Sequence, residues 1–227
     1  MFRNVFPANA GAGEVLVSIL LIVIPFMICI TVHELAHGFT AYRLGDNTAK
    51  NQGRLTLNPI RHIDPFGLLM IVVFRFGWAK PVPVNMNTFK HPRRYMAVTA
   101  FAGPLSNLIL ALVLMFLYGI LLIPILSINT PGVADFIHTL FLQTIWISVM
   151  LAVFNLLPIP PLDGSKILFS LVSEETYFKL MRYERYGFFV LILLLNIPVF
   201  QNTLRDVIQT IYDSFFLVGQ AALSLVA

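Results

Sequence analysis

Apolar residues run through this chain in long blocks separated by short polar connections. Three blocks, at residues 15–44, 96–126 and 137–157, exceed the roughly 20 apolar residues that a helix needs to cross a ~30 Å hydrocarbon layer. A shorter block at 186–200 and a last one at 207–226 predict two more helices. The pattern therefore reads as an all-α polytopic membrane protein with about five transmembrane helices. Between the first two blocks the regularity fails. Residues 45–95 are rich in Gly, Pro and Asn, with RLTLNP and PVPVN as short extended candidates. Within them, residues 66–76 are apolar but about half as long as a span, which predicts a re-entrant or interfacial element. Non-helical backbone at that depth must be buried in protein or line a wet cavity, so a water-accessible cleft is expected there. No internal repeat or low-complexity tract marks a second unit, and residues 1–227 read as a single domain.

Composition agrees with the pattern: 58% of residues are hydrophobic and only 11% charged, where soluble domains carry about 25% charged residues. The first block is not a signal peptide, because a polar HELAH cluster lies inside it and no small-residue cleavage pattern precedes that cluster. Charge position says more than the net charge of +4. Thirteen of the fifteen Lys and Arg fall in two connections, one running from Arg43 to Arg94 and one from Lys166 to Arg185, leaving only Arg3 and Arg205. The positive-inside rule then places both connections in the cytoplasm and the N-terminus outside. That bias accounts for the basic residues without a nucleic-acid partner, and no binding motif accompanies them. The lone Cys29 excludes an internal disulfide. It precedes His33 by four residues and so shares its side of the helix, where packing as a small apolar group is its favoured role.

His33-Glu34-Leu35-Ala36-His37 is an HExxH motif on a helical background. Spacing i, i+4 turns both imidazoles to one face, within reach of one zinc ion. Glu34 then lies beside the metal, where it can take a proton from zinc-bound water and deliver it to the leaving amine. Two His and one Glu in a transmembrane helix are costly unless paired or metal-bound, which raises the motif above a chance match. A catalytic zinc normally takes three protein ligands and leaves a place for water. Asp163 sits where the third block reaches the cytoplasmic side, at the depth expected for His33; His62 and Asp64 are the alternatives.

HELAHG, AGPLSN and NLLPIPPLDG, in that order on three membrane helices, resemble the site-2 protease family of intramembrane zinc metalloproteases, peptidase family M50. The run Asn58-Pro59…His62-Ile63-Asp64-Pro65…Gly67 and the run from Gly77 to Asn85 are similar to compact prokaryotic members. The resemblance implies a three-helix catalytic core, Asp163 as third zinc ligand, Glu34 as general base and Asn155 as a polar group at the reaction centre. It also implies one Zn2+ per chain, a transmembrane protein as substrate, a lipid bilayer as surroundings and a prokaryotic cell membrane as location. Asn155 would donate its amide to an oxyanion; its structural alternative is to bridge backbone loosened before Pro158. Gly103 and Asn107 fit a GxxxN spacing that favours close helix approach. His62, Trp78, Pro81, Pro83 and Asn85 are candidate substrate-binding residues: the prolines suit an edge strand, which an unwound substrate could join. By its length the sequence is expected to lack the PDZ or CBS domains that some larger relatives carry. A membrane zinc transporter or a non-proteolytic metal-binding membrane protein is the competing reading, but transporters usually hold their ion at mid-membrane on broken helices.

Overall fold

The computed structural model describes residues 11–74, 77–182 and 184–226. Arg3, Arg75 and Phe76, which entered the charge and periodicity arguments, lie outside those residues. Among the described residues the regular structure is helical and no strand forms: α1 (Ala12–Arg43), α2 (Thr48–Asn51), α3 (Pro65–Phe74), α4 (Pro92–Leu126), α5 (Pro131–Asn155), α6 (Asp163–Phe169), α7 (Glu174–Arg182), α8 (Glu184–Leu195) and α9 (Pro198–Leu223). The helices α1, α4 and α5 are long and apolar enough to span a bilayer, and α8 with α9 passes the same test as a pair bent by 87°. In the three long spans only 28%, 28% and 33% of the most apolar stretch is buried within the protein. The rest faces outward, as it must where the solvent is lipid. The protein is therefore a multi-pass integral membrane protein.

Three spans, or four with the bent pair, compare with the about five expected from the apolar blocks. The difference lies at the C-terminal end. The break falls at Asn196 and Ile197, ahead of Pro198, and the polar residues from Gln201 to Asp206 are helical. Proline lacks an N–H and disfavours helix in the residue before it, yet it starts a helix well. Polar side chains on one face do not stop a helix, so α9 runs on where polarity alone placed a gap.

The long helix α4 is the hub and packs against α1, α5, α6 and α9. Its apolar core joins Ala111, Met115 and Tyr118 to Ile145 and Val149 of α5 and Ile208 of α9. At Gly119 the backbones of α4 and α9 nearly touch, since a Cβ there would lie 2.2 Å from the Gly219 carbonyl oxygen. Small residues allow such crossings, which substitute packing for a hydrophobic driving force in lipid. The connection from α1 to α4 holds α3, ten residues and so about 15 Å long, half of a span. RLTLNP and PVPVN form no ladder: the described pairing is one antiparallel bridge, Ile63 with Ala79, and residues 59–61 make a turn of 3₁₀ helix. Proline supplies no donor for a ladder, and residues 81–85 run without regular secondary structure or a strand partner.

Candidate metal centre and active site

HExxH lies in the C-terminal half of α1, where His33, Glu34 and His37 are all buried. The third converging group, Asp163, arrives from the start of α6, immediately after the Pro-rich turn that follows α5. His33 Nε2, His37 Nε2 and Asp163 Oδ2 form a near-equilateral triangle: 3.0 Å between the imidazoles and 3.1 Å from each to the carboxylate oxygen. They are the group of His, Cys, Asp or Glu side chains, among the described residues, whose atoms converge as metal ligands. Ligands at about 2.0–2.1 Å from a tetrahedral zinc stand about 3.3–3.4 Å apart, so the triangle is slightly contracted but of the right size.

The hydrogen-bond chemistry supports a cation there. His37 Nδ1 lies 2.7 Å from the Thr99 carbonyl oxygen, to which it can only donate. The neutral ring then presents a bare lone pair at Nε2, pointing at another imidazole and at a carboxylate oxygen. For His33 the partner of Nδ1 is the Asn107 side-chain amide at 3.3 Å, and Asn107 Oδ1 is buried without a partner. Amide O and N assignments follow the hydrogen-bond network. Exchanging them puts Oδ1 against Nδ1–H, so that both histidines aim lone pairs inward and each is oriented from behind, as metal-bound histidines usually are. Asp163 turns Oδ2 to the two imidazoles. Its other oxygen, Oδ1, lies 3.8 Å from Lys166 Nζ.

Gly103 of α4 forms the floor. A Cβ at that position would fall 2.4 Å from His37 Nε2 and 2.7 Å from His33 Cε1. The AGPLSN motif therefore does more than let helices approach: Gly103 leaves room for both rings and Asn107 faces one of them. From sequence these two residues read as helix contacts; the missing signal is that i, i+4 on α4 matches i, i+4 on α1 at the same depth.

A cavity of about 390 Å³ opens beside the triangle, lined by Glu34, Pro81, Val82, Val84, Asn155, Pro161 and Lys166 in addition to the three convergent residues. Glu34 Oε2 accepts a hydrogen bond from the Val82 backbone N–H at 2.8 Å, a contact that nothing in the sequence announced. Asn155 lines the cavity while its Nδ2 donates to Leu151 O at 2.9 Å, one turn back on α5. One of its two amide hydrogens is thus spent on its own helix.

The remaining candidates sit apart from the triangle. His62 is fully buried, with Nε2 2.8 Å from Thr56 O, and its carbonyl accepts from Lys80 N. Asp64 accepts from Gly67 N at the start of α3. Of the alternatives for the third ligand, the structure brings Asp163 to the histidines and neither of these. Trp78 packs on Phe66 and is 43% exposed. Asn85 donates its N–H to Asp46, and Pro83 is half-buried beside it. Cys29 is buried and donates to Thr144 O across the α1–α5 contact.

Comparison with known proteins adds an independent line. The family described as Peptidase family M50 matches residues 21–197. The chain is 43% identical over 210 residues to "Putative zinc metalloprotease YwhC" of Bacillus subtilis (strain 168), covering 86% of this chain and 92% of that protein. It is 29% identical over 198 residues to "Putative zinc metalloprotease Rip2" of Mycolicibacterium smegmatis, covering 86% and 73%. The same holds for the Rip2 protein of Mycobacterium tuberculosis (strain H37Rv), at 29% over 197 residues, covering 85% and 73%. No solved structure matches the chain.

Proposed function

This chain belongs to peptidase family M50 and is a zinc metalloprotease of the membrane, and we propose that it hydrolyses a peptide bond within or near transmembrane segments of other membrane proteins. The observation that carries the reading is the convergence of His33 Nε2, His37 Nε2 and Asp163 Oδ2 beside a polar-edged cavity that also holds Glu34. Their donor set, two nitrogens and one carboxylate oxygen, is that of a catalytic rather than a structural zinc, which would be closed by a fourth protein ligand. When bound, zinc supplies Lewis acidity that activates water and polarises a carbonyl.

The chain's own residues do the rest. Glu34 lies next to the triangle with Oε2 held by Val82, so Oε1 is the oxygen that accepts a proton from the attacking water. As the water oxygen bonds to the scissile carbonyl carbon, the C–N bond breaks and the proton passes from Glu34 to the departing nitrogen. Water and one peptide bond thereby become a carboxylic acid and an amine, with Glu34 restored, and passage of the second water proton to the amine gives the carboxylate and the ammonium. The free hydrogen of the Asn155 amide serves the carbonyl oxygen as negative charge builds on it. A cut toward the cytoplasmic face is supported by the thirteen of fifteen Lys and Arg that flank this end of α1, α4 and α5. A transmembrane substrate has its backbone groups paired internally, so it must unwind locally before its carbonyl can reach the cavity.

Glu34→Gln tests the reading. It should keep zinc and lose cleavage by about 10²–10⁴-fold, the usual worth of a positioned general base. His33→Ala and Asp163→Ala should lose the metal itself, measured by elemental analysis of purified protein. Wild-type turnover in Glu34→Gln, or full zinc occupancy in the alanine variants, would overturn it.

A further inference from the structure

Residues 80–85 form a strap along the cavity, which Pro81, Val82 and Val84 line; beside the backbone bond from Lys80 N–H to His62 O, three charge-assisted hydrogen bonds fix it. Arg54 Nη2 donates to Lys80 O at 2.7 Å. Val82 N donates to Glu34 Oε2 at 2.8 Å. Asn85 N donates to Asp46 Oδ2 at 2.7 Å. The strap is thus tied at both ends and touches Glu34 in the middle. Its sequence suits that use: Pro81 and Pro83 have no N–H, which leaves Val82 with the one donor of residues 81–83.

Arg54 is the costly member of the arrangement. It is 5% exposed and its Nε has no partner, although a buried guanidinium is expensive unless paired. Burial lowers its pKa and the charge of Glu34 opposes that change, so Glu34 is the carboxylate whose field it feels. Asp46, the anchor at the other end, is itself locked by Thr48 N at 2.9 Å. A cation held in the interior only to grip one carbonyl would be poor economy for packing alone. Gripping Lys80 O sets the direction of the next peptide units and hence of the Val82 N–H.

We propose that the strap is the device that aims the base, with Arg54 as its positioning residue: by holding Lys80 O it presents Val82 N–H to Glu34 Oε2 and leaves Oε1 turned to the water. The inference rests on the reading of Glu34 as general base. Its physical content is orientation, since a proton-accepting oxygen must stand within about 2.6–3.2 Å of its proton and a displacement near 1 Å can cost about 10²-fold in rate.

The test uses the full-length chain, loaded with zinc in detergent, and a transmembrane reporter that it cleaves. Arg54→Gln should lower kcat about 10- to 100-fold, with KM and zinc content within about twofold of wild type. Arg54→Lys, which can still donate to Lys80 O, should recover most of that loss. Val82 replaced by its α-hydroxy analogue, which exchanges the N–H for an ester oxygen and leaves every side chain in place, should show the same kcat defect. That second variant decides the matter if Arg54→Gln does not fold. Wild-type kcat in the Val82 ester, or a defect confined to KM or to zinc content, would overturn the strap. If Glu34→Gln is inactive while both strap variants turn over normally, the strap alone fails; if Glu34→Gln is active, the base assignment fails first.

Discussion

Gly103→Ala would place a methyl group inside the metal centre. On the observed backbone the added Cβ falls 2.4 Å and 2.5 Å from His37 Nε2 and Cε1, and 2.7 Å from His33 Cε1, where ordinary contacts begin at 3.4 Å. Relief requires that the rings retreat, or that α1 and α4 separate, by about 1 Å. Metal–ligand distances tolerate about 0.2 Å, so the triangle cannot absorb the shift and keep its geometry. Overpacking of a filled interior costs about 1–3 kcal/mol. If that cost falls on the metal-bound state, zinc affinity weakens about 5- to 150-fold. Competition against a fluorescent chelator, on purified protein in detergent, reads the ratio directly. Gly119→Ala is the matched control, because its Cβ would strike the Gly219 carbonyl oxygen at 2.2 Å, far from the triangle. It should lower thermal stability and leave zinc affinity within about twofold. Wild-type zinc affinity in Gly103→Ala would refute the role of this residue as the floor of the site.

Other expectations address pH, topology and substrate. Burial works to raise the Asp46 carboxyl, but the hydrogen bonds from Thr48, Asn85 and Thr88 prevail and its pKa lies below the ordinary value of 3.8. A depressed folded pKa contributes stability that is complete above the unfolded value of about 3.9 and is lost as pH falls through the folded one. The gap in melting temperature between wild type and Asp46→Asn should therefore shrink as pH drops from about 6 to about 3, and a constant gap in detergent melts would disprove the linkage. Single cysteines at Lys50 and Asn129, in a Cys29→Ser background, should label from the cytoplasmic and the outer side respectively; the reverse result inverts the orientation. A reporter helix carrying Gly or Asn near its cytoplasmic end should be cut faster than its all-Leu counterpart with similar affinity, since opening is required to reach the transition state, and equal rates would discard the unwinding step.

The features that were legible in the sequence are those set by local periodicity. The lengths of α1, α4 and α5 follow from apolar run length, and the common face of His33 and His37 follows from the helical repeat. The third ligand was not fixed by spacing, because nothing in the chain order says that the start of α6 reaches the depth of α1 while Asp64 turns to cap α3; only the resemblance to a family singled out Asp163. Contacts between distant segments were the least visible. Val82 meets Glu34 across 48 residues of sequence, and Gly103 lies under rings 66 and 70 positions earlier, so neither leaves a mark in any window short enough to show a pattern. The C-terminal break lies before Pro198 and not in the polar run 201–206, because a proline starts a helix and polar side chains do not end one.

The proline-flanked strap has one more consequence, for how the molecule meets its own copies. Edges of extended backbone invite other chains to dock, and proteins guard them. Here the guard is chemical: between positions 81 and 83 there is no unengaged N–H, because two residues lack one and the third is held by Glu34. Two copies brought face to face along this stretch would oppose acceptors to acceptors and could not knit together. A chain docked there can be held only through its own N–H groups, so a donor-bearing segment suits this stretch and the same stretch of a second copy does not.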